Sequence, residues 1–326
     1  MYASVRIAAP CLLAAGLCGA MPHATAQTYP SRPIEVTVHT SPGSGGDVLS
    51  RAAAEIIRRD KILPQPLQVV NRVGGAGAVG FNYFKGKRGD PYSVLSVTGT
   101  ILAMAYRPDI SITLDNYTPI ALMVIDPQTI MVPANSPYKT FKDLAEAARK
   151  APDTLVGATT SPTGTGRMLV YLIEKAVPGA KFRTVFFKGG GDAVTSTAGG
   201  HTTFTTENLS EGAGFVEAKT LRVLAVTSEK RLPQQPDVPT LKELGYPITA
   251  GTIRGFTFTA GVPKEAVSTM EAAFAKVHAS PEWQELVKRN IYEDRFMGSA
   301  EFTRFLQQRM QEYREFYDAI GLSKTK

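Results

Sequence analysis

The chain has 326 residues and a formal net charge of +7, from 36 Lys and Arg against 29 Asp and Glu. The basic residues are scattered, with no run of five and no interleaving with aromatic residues, so the charge does not favour a nucleic-acid partner. Length and composition predict a globular protein with one large domain or two smaller ones.

The first 26 residues have the pattern of a secretory signal peptide. Arg6 precedes an apolar run at Ile7–Met21, and the small residues Ala24–Ala26 favour cleavage after Ala26. The run is short and is interrupted by proline and glycine, which argues against a membrane span. We therefore expect export to the periplasm. An uncleaved N-terminal anchor is the alternative.

Both cysteines, Cys11 and Cys18, lie inside this removable segment, so the mature chain is expected to contain none. Its histidines, His39, His201 and His278, are far apart and lack the spacing of metal ligands. The sequence therefore predicts no disulfide, no thiolate nucleophile, no metal site and no cofactor.

Apolar runs alternate with helical patterns through most of the chain, which predicts parallel α/β sheets joined by right-handed crossovers. The predicted strands are Ile34–His39, Leu67–Val70, Ser93–Val97, Gln128–Val132, Leu155–Ala158, Arg183–Phe186, Thr202–Thr206, Val223–Thr227 and Phe256–Ala260. The predicted helices in this part are Asp47–Arg59, Ala78–Lys85, Thr140–Ala148, Gly166–Ala176, Ala193–Ala198 and Glu211–Ala218.

The C-terminal region is predicted to be helical, with little strand between its helices. Lys264–Ala279, Pro281–Asn290 and Ser299–Ala319 have helical patterns, and Ser280 and Ser299 occupy plausible cap positions. Such a helical end is expected to pack back on the sheet where the chain began. The first domain would then be discontinuous.

Three glycine-rich turns follow predicted strands and precede helices. They are HTSPGSGGD (His39–Asp47), TTSPTGTG (Thr159–Gly166) and KGGGD (Lys188–Asp192). Ligands of open α/β sheets bind beyond the carboxyl ends of the strands, where backbone N–H groups and helix N-termini favour anions. Two facing turns would enclose a small carboxylate or phosphate. The alternative is that the glycines only permit tight turns.

Two charged residues beside the first turn are predicted to be structural. Asp47 precedes a helical run, so we interpret it as a helix N-cap that shapes the loop rather than as a ligand contact. Arg51 lies one turn later and is expected to face a structural partner.

A possible dinucleotide fingerprint occurs at Gly75, Gly77 and Gly80, in the spacing G-x-G-x-x-G between a strand and a helix. The acidic residue that would bind the ribose, about 20 positions later, is missing, since Asp90 comes too early. We therefore interpret Gly74–Gly80 as a structural turn that borders a cleft.

Several segments resemble the receptors of tripartite tricarboxylate transporters, of the TctC or Bug type. They are YPSRPI (Tyr29–Ile34), PGSGGDVLSR (Pro42–Arg51), VVNRVGGAGAVG (Val69–Gly80), FFKGGGDA (Phe186–Ala193) and LRVLAVTSEKRLPQQPDVPTLKELG (Leu221–Gly245). The resemblance extends over about residues 29–322, and the last segment is its most specific part.

The resemblance implies a two-lobed periplasmic binding protein of the Venus flytrap type, type II. Residues 27–125 and 254–326 would form a discontinuous first lobe and residues 126–253 the second, with hinges near Val124–Pro127 and Thr252–Gly255. It also implies a monomer that captures a di- or tricarboxylate or an aromatic acid and delivers it to membrane permease subunits, without catalysis.

Two other functions stay open on the sequence. One is a sensing receptor that signals to a membrane sensor kinase. The other is a periplasmic hydrolase, in which Ser44 or Ser161 would need His39 as a base.

The resemblance and the turns together give a set of candidate ligand-binding residues. They are Thr40, Ser41, Gly43, Ser44, Gly45, Thr98, Thr100, Ser161, Thr163, Gly164, Thr165, Lys188, Gly189, Glu207 and Arg254. The chain departs from the family's usual residues at Thr40 (aromatic), Ser44 (glycine), Glu207 (aspartate) and Arg254 (tryptophan). The exchange at Glu207 puts an amino-acid ligand in doubt. Arg254 is expected to bind a distal carboxylate of the ligand or to form a salt bridge between the lobes.

Overall fold

The computed structural model describes residues 1–3, 28–106 and 112–322. The predicted signal peptide, apart from its first three residues, lies outside the described residues. Within the described part, none of the helices combines the length and the apolar character that crossing a bilayer requires.

The chain forms strands and helices in close agreement with the predicted alternation. The strands are β1 (Ile34–Val38), β2 (Leu67–Asn71), β3 (Ser93–Val97), β4 (Tyr117–Pro127), β5 (Thr129–Pro133), β6 (Val156–Thr159), β7 (Arg183–Phe186), β8 (Phe204–Thr205), β9 (Leu221–Val226), β10 (Gly251–Thr259) and β11 (Glu293–Gly298). The helices are α1 (Gly45–Arg59), α2 (Ala78–Lys85), α3 (Thr100–Met104), α4 (Phe141–Lys150), α5 (Thr165–Ala176), α6 (Gly190–Ala198), α7 (Leu209–Glu217), α8 (Lys264–His278), α9 (Pro281–Arg289) and α10 (Ser299–Ala319).

The strands form two sheets, each with helices packed against it. The six-stranded sheet has the order β11-β4-β10-β3-β1-β2, and the five-stranded sheet has the order β7-β6-β8-β5-β9. Helices α1, α8 and α9 contribute to a core with one face of the larger sheet, and α2, α3 and α10 with the other. Helices α4 to α7 contribute to the cores of the smaller sheet. The predicted two-lobed α/β fold is confirmed.

The predicted parallel pairing is present in both sheets, but each sheet is mixed. β1 is parallel to β2 and β3, and β6 is parallel to β7 and β8. In contrast, β10 is antiparallel to β3 and β4, and β5 is antiparallel to β8 and β9. The long strands β4 and β10, which connect the two sheets, are paired with each other.

Two strands and one short helix escaped the sequence analysis. β4 is buried along almost its whole length and so lacks the alternation of a half-buried strand, and Pro119 interrupts its sequence. Pro119 is tolerated because β11 pairs only with the later part of β4. The charged strand β11 lies between α9 and α10, where the sequence predicted little strand. The short helix α3 follows β3.

The predicted helix starts are right within a few residues, but the caps differ. Ser280 is the N-cap of α9, where its side chain accepts a hydrogen bond from the Trp283 N–H. Ser299 is instead the first residue of α10, after Gly298. Helix α1 begins at Gly45 rather than at Val48, so Asp47 lies in its first turn and Ser44 takes the cap position.

Helix α10 contacts both halves of the molecule. The Tyr317 hydroxyl donates to the Thr163 carbonyl at 3.1 Å, and Lys175 of α5 forms an ion pair with Glu315 at 2.7 Å. The rings of Tyr171 and Phe316 lie 5.5 Å apart between their centroids. The two sheets are therefore linked by packed side chains as well as by the connecting strands.

Candidate ligand-binding cleft

The carboxyl ends of parallel strands from both sheets open into one cleft. Thr40, Thr98 and Thr160, which follow β1, β3 and β6, all line it. The cleft has a main chamber of about 770 Å³ and an adjoining second chamber of about 220 Å³. Thr252 and Arg254, from the predicted hinge segment of β10, line the second chamber, which we call the hinge chamber.

Every candidate residue except Gly43 lies in the wall of one or both chambers. The main chamber contains Thr40, Ser41, Ser44, Thr98, Thr100, Ser161, Thr163, Gly164, Thr165, Lys188 and Gly189. The hinge chamber contains Gly45, Glu207 and Arg254, and shares Thr40, Ser44, Thr98 and Thr165 with the main chamber.

Helices α1, α5, α6 and α7 begin at this cleft without a side-chain cap, as do α2, behind its 3-10 turn, and the five-residue α3. The cap positions of α1, α5, α6 and α7 are Ser44, Gly164, Gly189 and Asn208, and none of their side chains accepts a hydrogen bond from its own helix. The first N–H groups of a helix have no partner inside it, so they can bind an anion there. Helix α4, by contrast, is capped by the Thr140 side chain.

The first loop is held in place by Asp47. This carboxylate accepts hydrogen bonds from the Gly43 N–H at 2.9 Å, from Arg51 at 3.0 Å and from Asn71 at 2.9 Å. Desolvation raises the pKa of Asp47, but the hydrogen bonds from Arg51, Gly43 and Asn71 outweigh it and lower the pKa overall. Gly43 therefore has a structural role in the loop: its N–H binds Asp47, and its φ of +81° is a conformation that favours glycine. Asp47 and Arg51 have the structural roles predicted for them, although Asp47 is not the N-cap.

Replacing Asp47 with alanine is expected to lower the free energy of unfolding by about 1–3 kcal/mol, because the hydrogen bonds that its buried carboxylate accepts from Gly43, Arg51 and Asn71 are lost. Asp192 is the matched control, since it also occupies the third position of its helix but is exposed. Urea unfolding of both alanine variants checks this. Equal stability of the two variants would show that Asp47 does not organise the loop.

The second loop depends on glycine at the start of α5. A Cβ atom at Gly166 would lie 2.2 Å from the Thr159 hydroxyl oxygen and 3.0 Å from that of Thr206. Ser161 accepts a hydrogen bond from the Thr163 N–H at 3.2 Å. The loop thus brings small hydroxyl side chains and backbone to the cleft opposite the first loop.

Arg254 lies in the hinge chamber but is already paired. Its guanidinium donates to the Asp126 carboxylate, and the two residues are 8% and 0% exposed. Ser210 also donates to Asp126, at 3.1 Å. Burial raises the pKa of Asp126, and the charge of Arg254 opposes this shift. Of the two roles expected for Arg254, the structure shows the salt bridge, which joins the connecting strands β4 and β10.

Several buried polar atoms of the hinge chamber have no hydrogen-bond partner among the described residues. They are Glu207 Oε1, Gln128 Oε1 and Arg254 Nε. Buried polar groups are normally hydrogen-bonded, so such a cluster points to a ligand or water in the chamber. Glu207 is 4% exposed, and burial, followed by the charge of Glu211, raises its pKa to about 7.

His39 lines the main chamber as a neutral residue, because burial lowers its pKa to about 4. Its Nε2 lies 3.4 Å from the Thr98 hydroxyl. The Ser44 hydroxyl instead contacts Thr40 at 2.5 Å, and that of Ser161 contacts Thr163 at 3.2 Å. This geometry gives no support to a serine–histidine dyad.

The glycine-rich stretch of the fingerprint forms a short 3-10 turn, Gly75–Gly77, ahead of α2. Gly74 and Gly77 have φ values of +137° and +94° and line the main chamber. A Cβ at Gly80 would lie 2.8 Å from that of His39, so this glycine permits close packing of α2 on β1. The stretch is a turn that borders the cleft, as predicted.

The sequence analysis missed several residues of the wall. They include Gln128, Thr160, Asn208, Glu211, Thr252 and Tyr313. Thr160 lies within the second turn and Asn208 follows Glu207, so both could have been predicted as cleft residues from their positions in the sequence. Tyr313 lies in the middle of α10, where the sequence gives no such signal.

A groove of about 930 Å³ lies elsewhere, between the segment 229–234 and the region of α9 and β11. Charged side chains of both signs line it, among them Lys230, Arg231, Glu285 and Asp294. No helix begins in this groove with an open N-terminus, so it lacks the features that select an anion in the cleft.

Comparisons with known proteins agree with this architecture. The sequence profile of the tripartite tricarboxylate transporter family receptor (TctC) matches residues 49–322. A UPF0065 protein from the gbd 5′ region of Cupriavidus necator is 27% identical over 319 residues, covering 96% of this chain and 94% of that protein. The crystal structure of a TctC solute-binding protein from Polaromonas is 31% identical, with a TM-score of 0.79 over 90% of this chain and 100% of that one. An R. palustris protein solved with adipate is 23% identical, with a TM-score of 0.77 over 90% of this chain and 99% of that one.

Proposed function

Because the chain belongs to the tripartite tricarboxylate transporter receptor family, we propose that it is a periplasmic solute-binding protein that captures a small organic carboxylate for such a transporter. The observation that carries the proposal is the group of uncapped helix N-termini at one cleft, above all those of α1, α5, α6 and α7. Their N–H groups and partial positive charges favour a carboxylate over a neutral or cationic ligand.

The wall of the main chamber supports the same ligand class. Its hydroxyl side chains, from Thr40 and Ser44 on one side and Ser161 and Thr163 on the other, can donate to carboxylate oxygens. Lys188 adds a positive charge. A volume of about 770 Å³ lies in the range of small-molecule sites.

An apolar part of the wall would contact the carbon skeleton of the ligand. Val73, Ala103, Met104 and Tyr313 all line the main chamber, and Val73 is 51% exposed. A ligand with a carboxylate at the loops and a hydrocarbon or aromatic body beside these residues would use both kinds of surface. The R. palustris structure contains adipate, a dicarboxylate with such a body.

Ligand capture would proceed by closure of the two lobes, with the boundaries at residues 125/126 and 253/254. β4 and β10 cross between the sheets at these positions, and their residues Asp126 and Thr252 are paired. Two adjacent connecting strands can bend together as a hinge. A ligand that contacts both lobes stabilises the closed state, which the permease subunits of the transporter would recognise.

A thermal-shift panel on the mature protein, from Gln27 onward, tests the proposal. The panel contains aliphatic, aromatic and tricarboxylic acids, with NAD, a neutral sugar and a diamine as controls. A bound acid at about 100 times its Kd stabilises the protein by about 2.7 kcal/mol. At about 2–4 °C per kcal/mol, this is a shift of about 5–11 °C. A response to the controls alone, or to no acid, would contradict the proposal.

A further inference from the structure

The hinge chamber contains more acidic than basic groups, which is unexpected beside a cleft that favours anions. Glu207 and Glu211 line it, and the Arg254 guanidinium is paired with a third carboxylate, Asp126. Three carboxylates and one guanidinium give a net charge of −2 when all are ionised. A carboxylate ligand that reaches this chamber would add to the repulsion.

Hydrogen bonding, like charge, disfavours a ligand carboxylate beside an ionised Glu207. Glu207 is 4% exposed, and its Oε1 has no partner within the described part of the chain. Gln128 Oε1, another acceptor in the same wall, is also without one there. An ionised Glu207 and a ligand carboxylate are both acceptors only, so neither can satisfy the other. A single proton on Glu207 would turn it into a donor.

We propose that Glu207 binds the ligand as a neutral carboxylic acid, so that the cleft takes up one proton together with the carboxylate anion. The proposal rests on the proposed function and assigns to Glu207 a specific role in it. The hydroxyl of the neutral carboxyl group donates to a ligand carboxylate oxygen, which is a strong charge-assisted hydrogen bond. The proton also removes one of the negative charges from the chamber.

The surroundings of Glu207 favour the neutral form near physiological pH. Burial, followed by the charge of Glu211 on α7, raises its pKa to about 7, and the charge of Asp126 on β4 adds to the increase. Hydrogen bonds from the Thr159 side chain and the Thr160 backbone lower the pKa but do not outweigh these causes. Arg254 on β10 is the basic residue of the same wall, but it is paired with Asp126. The main chamber adds Lys188, which follows β7 of the same sheet, and the neutral His39, which follows β1 of the other sheet.

The proposal gives the pH dependence of binding a definite sign. Affinity is constant where Glu207 is protonated and falls about tenfold per pH unit above its pKa. For a pKa of about 7, Kd is expected to rise about 30-fold between about pH 6 and about pH 8.5. Glu207→Gln keeps a donor but has no proton to lose, so its Kd should be independent of pH.

Isothermal titration calorimetry at about pH 6 and about pH 8.5 tests the predicted pH dependence of Kd. Adipate, citrate and benzoate are the probes, and each is titrated into the wild type and into Glu207→Gln. Two buffers of different ionisation enthalpy count the protons taken up, about one per ligand at the higher pH. Glu217→Gln is the matched control, because Glu217 is an exposed residue at the end of α7, the helix that begins just after Glu207. Its Kd should follow the wild type.

The outcomes separate this inference from the proposed function. Binding of an acid with the same Kd at both pH values would overturn the inference and leave the function intact. Binding that strengthens with pH would also overturn it, and would indicate an ammonium group on the ligand beside Glu207. If none of the three acids binds at about pH 6, the proposed function and the inference both fail.

A measurement without ligand provides a second, independent readout. The carboxyl of Glu207 has a higher pKa in the folded than in the unfolded state, so the wild type loses stability as pH rises from about 4.5 to about 7 and no more above it. The Tm difference between Glu207→Gln and the wild type should increase over this range. A constant difference would contradict the assignment of the proton to Glu207.

Discussion

Replacing Asp126 with alanine is expected to lower the free energy of unfolding by about 3–5 kcal/mol, because Arg254 then remains buried with an uncompensated charge. The two residues are 0% and 8% exposed, so the pair is largely removed from bulk solvent. Ser210 loses an acceptor as well. Urea unfolding at neutral pH, with m-values compared between the proteins, measures the loss.

An exposed ion pair is the matched control for this prediction. Arg58 and Glu55 lie on the surface of α1, with side chains 64% and 57% exposed and 2.6 Å between the charged atoms. Glu55→Gln should leave stability nearly unchanged, because solvent screens such pairs. Removing both buried charges, as Asp126→Leu with Arg254→Met, should recover most of the loss. An Asp126→Ala variant as stable as Glu55→Gln would show that the buried pair is solvated.

The position of this pair gives it a consequence for ligand binding. Asp126 and Arg254 lie on the two strands that connect the sheets, and the Asn208 side chain donates to the Asp126 carbonyl at 2.7 Å. Residue 208 is also the cap position of α7, one of the helices that begin at the cleft. A single polar cluster therefore fixes both the hinge strands and one helix N-terminus.

The cleft was largely predictable from the sequence because its loops obey a local rule. Each predicted turn follows a strand and opens a helix, and the carboxyl ends of parallel strands lie at one edge of their sheet. Thr40, Ser161 and Lys188 could thus be assigned to one region from their positions alone. Thr40 belongs to one sheet, and Ser161 and Lys188 belong to the other. They lie close together only if the two sheet edges face each other, and the two-lobed fold of the family implied that arrangement.

The partner of Arg254 could not be predicted in the same way. Asp126 lies 128 positions earlier in the chain, and their contact depends on the register of β4 against β10. β4 itself was missed, because a strand buried on both faces has no alternating pattern and Pro119 falls inside it. Without β4 there was no basis for placing a carboxylate beside Arg254, or for noticing the excess of acidic groups around Glu207.

Gly45 is the position at which a single methyl group is expected to impair binding most clearly. A Cβ atom there would lie 2.5 Å from the Arg254 guanidinium, whereas ordinary contact begins at 3.4 Å. The guanidinium cannot easily move, because it is buried and paired with Asp126. The start of α1 must therefore shift, and its N–H groups move away from the ligand. Hydrogen bonds to a charged group contribute about 1.5–3 kcal/mol, so Gly45→Ala should weaken carboxylate binding about 10- to 100-fold.

Gly191→Ala is the control, because Gly191 lies in the first turn of α6 and has no atom within 4 Å of an added Cβ. Its alanine should leave Kd unchanged and should not lower Tm, since alanine is the better helix former. Gly45→Ala, by contrast, should lower both affinity and Tm, because overpacking typically costs about 1–3 kcal/mol. Titration of both variants with the acid that gives the largest thermal shift provides the comparison. If Gly45→Ala binds this acid as tightly as Gly191→Ala does, the N-terminus of α1 does not hold the carboxylate, and the anion is bound elsewhere in the cleft, at the N-termini of the second lobe.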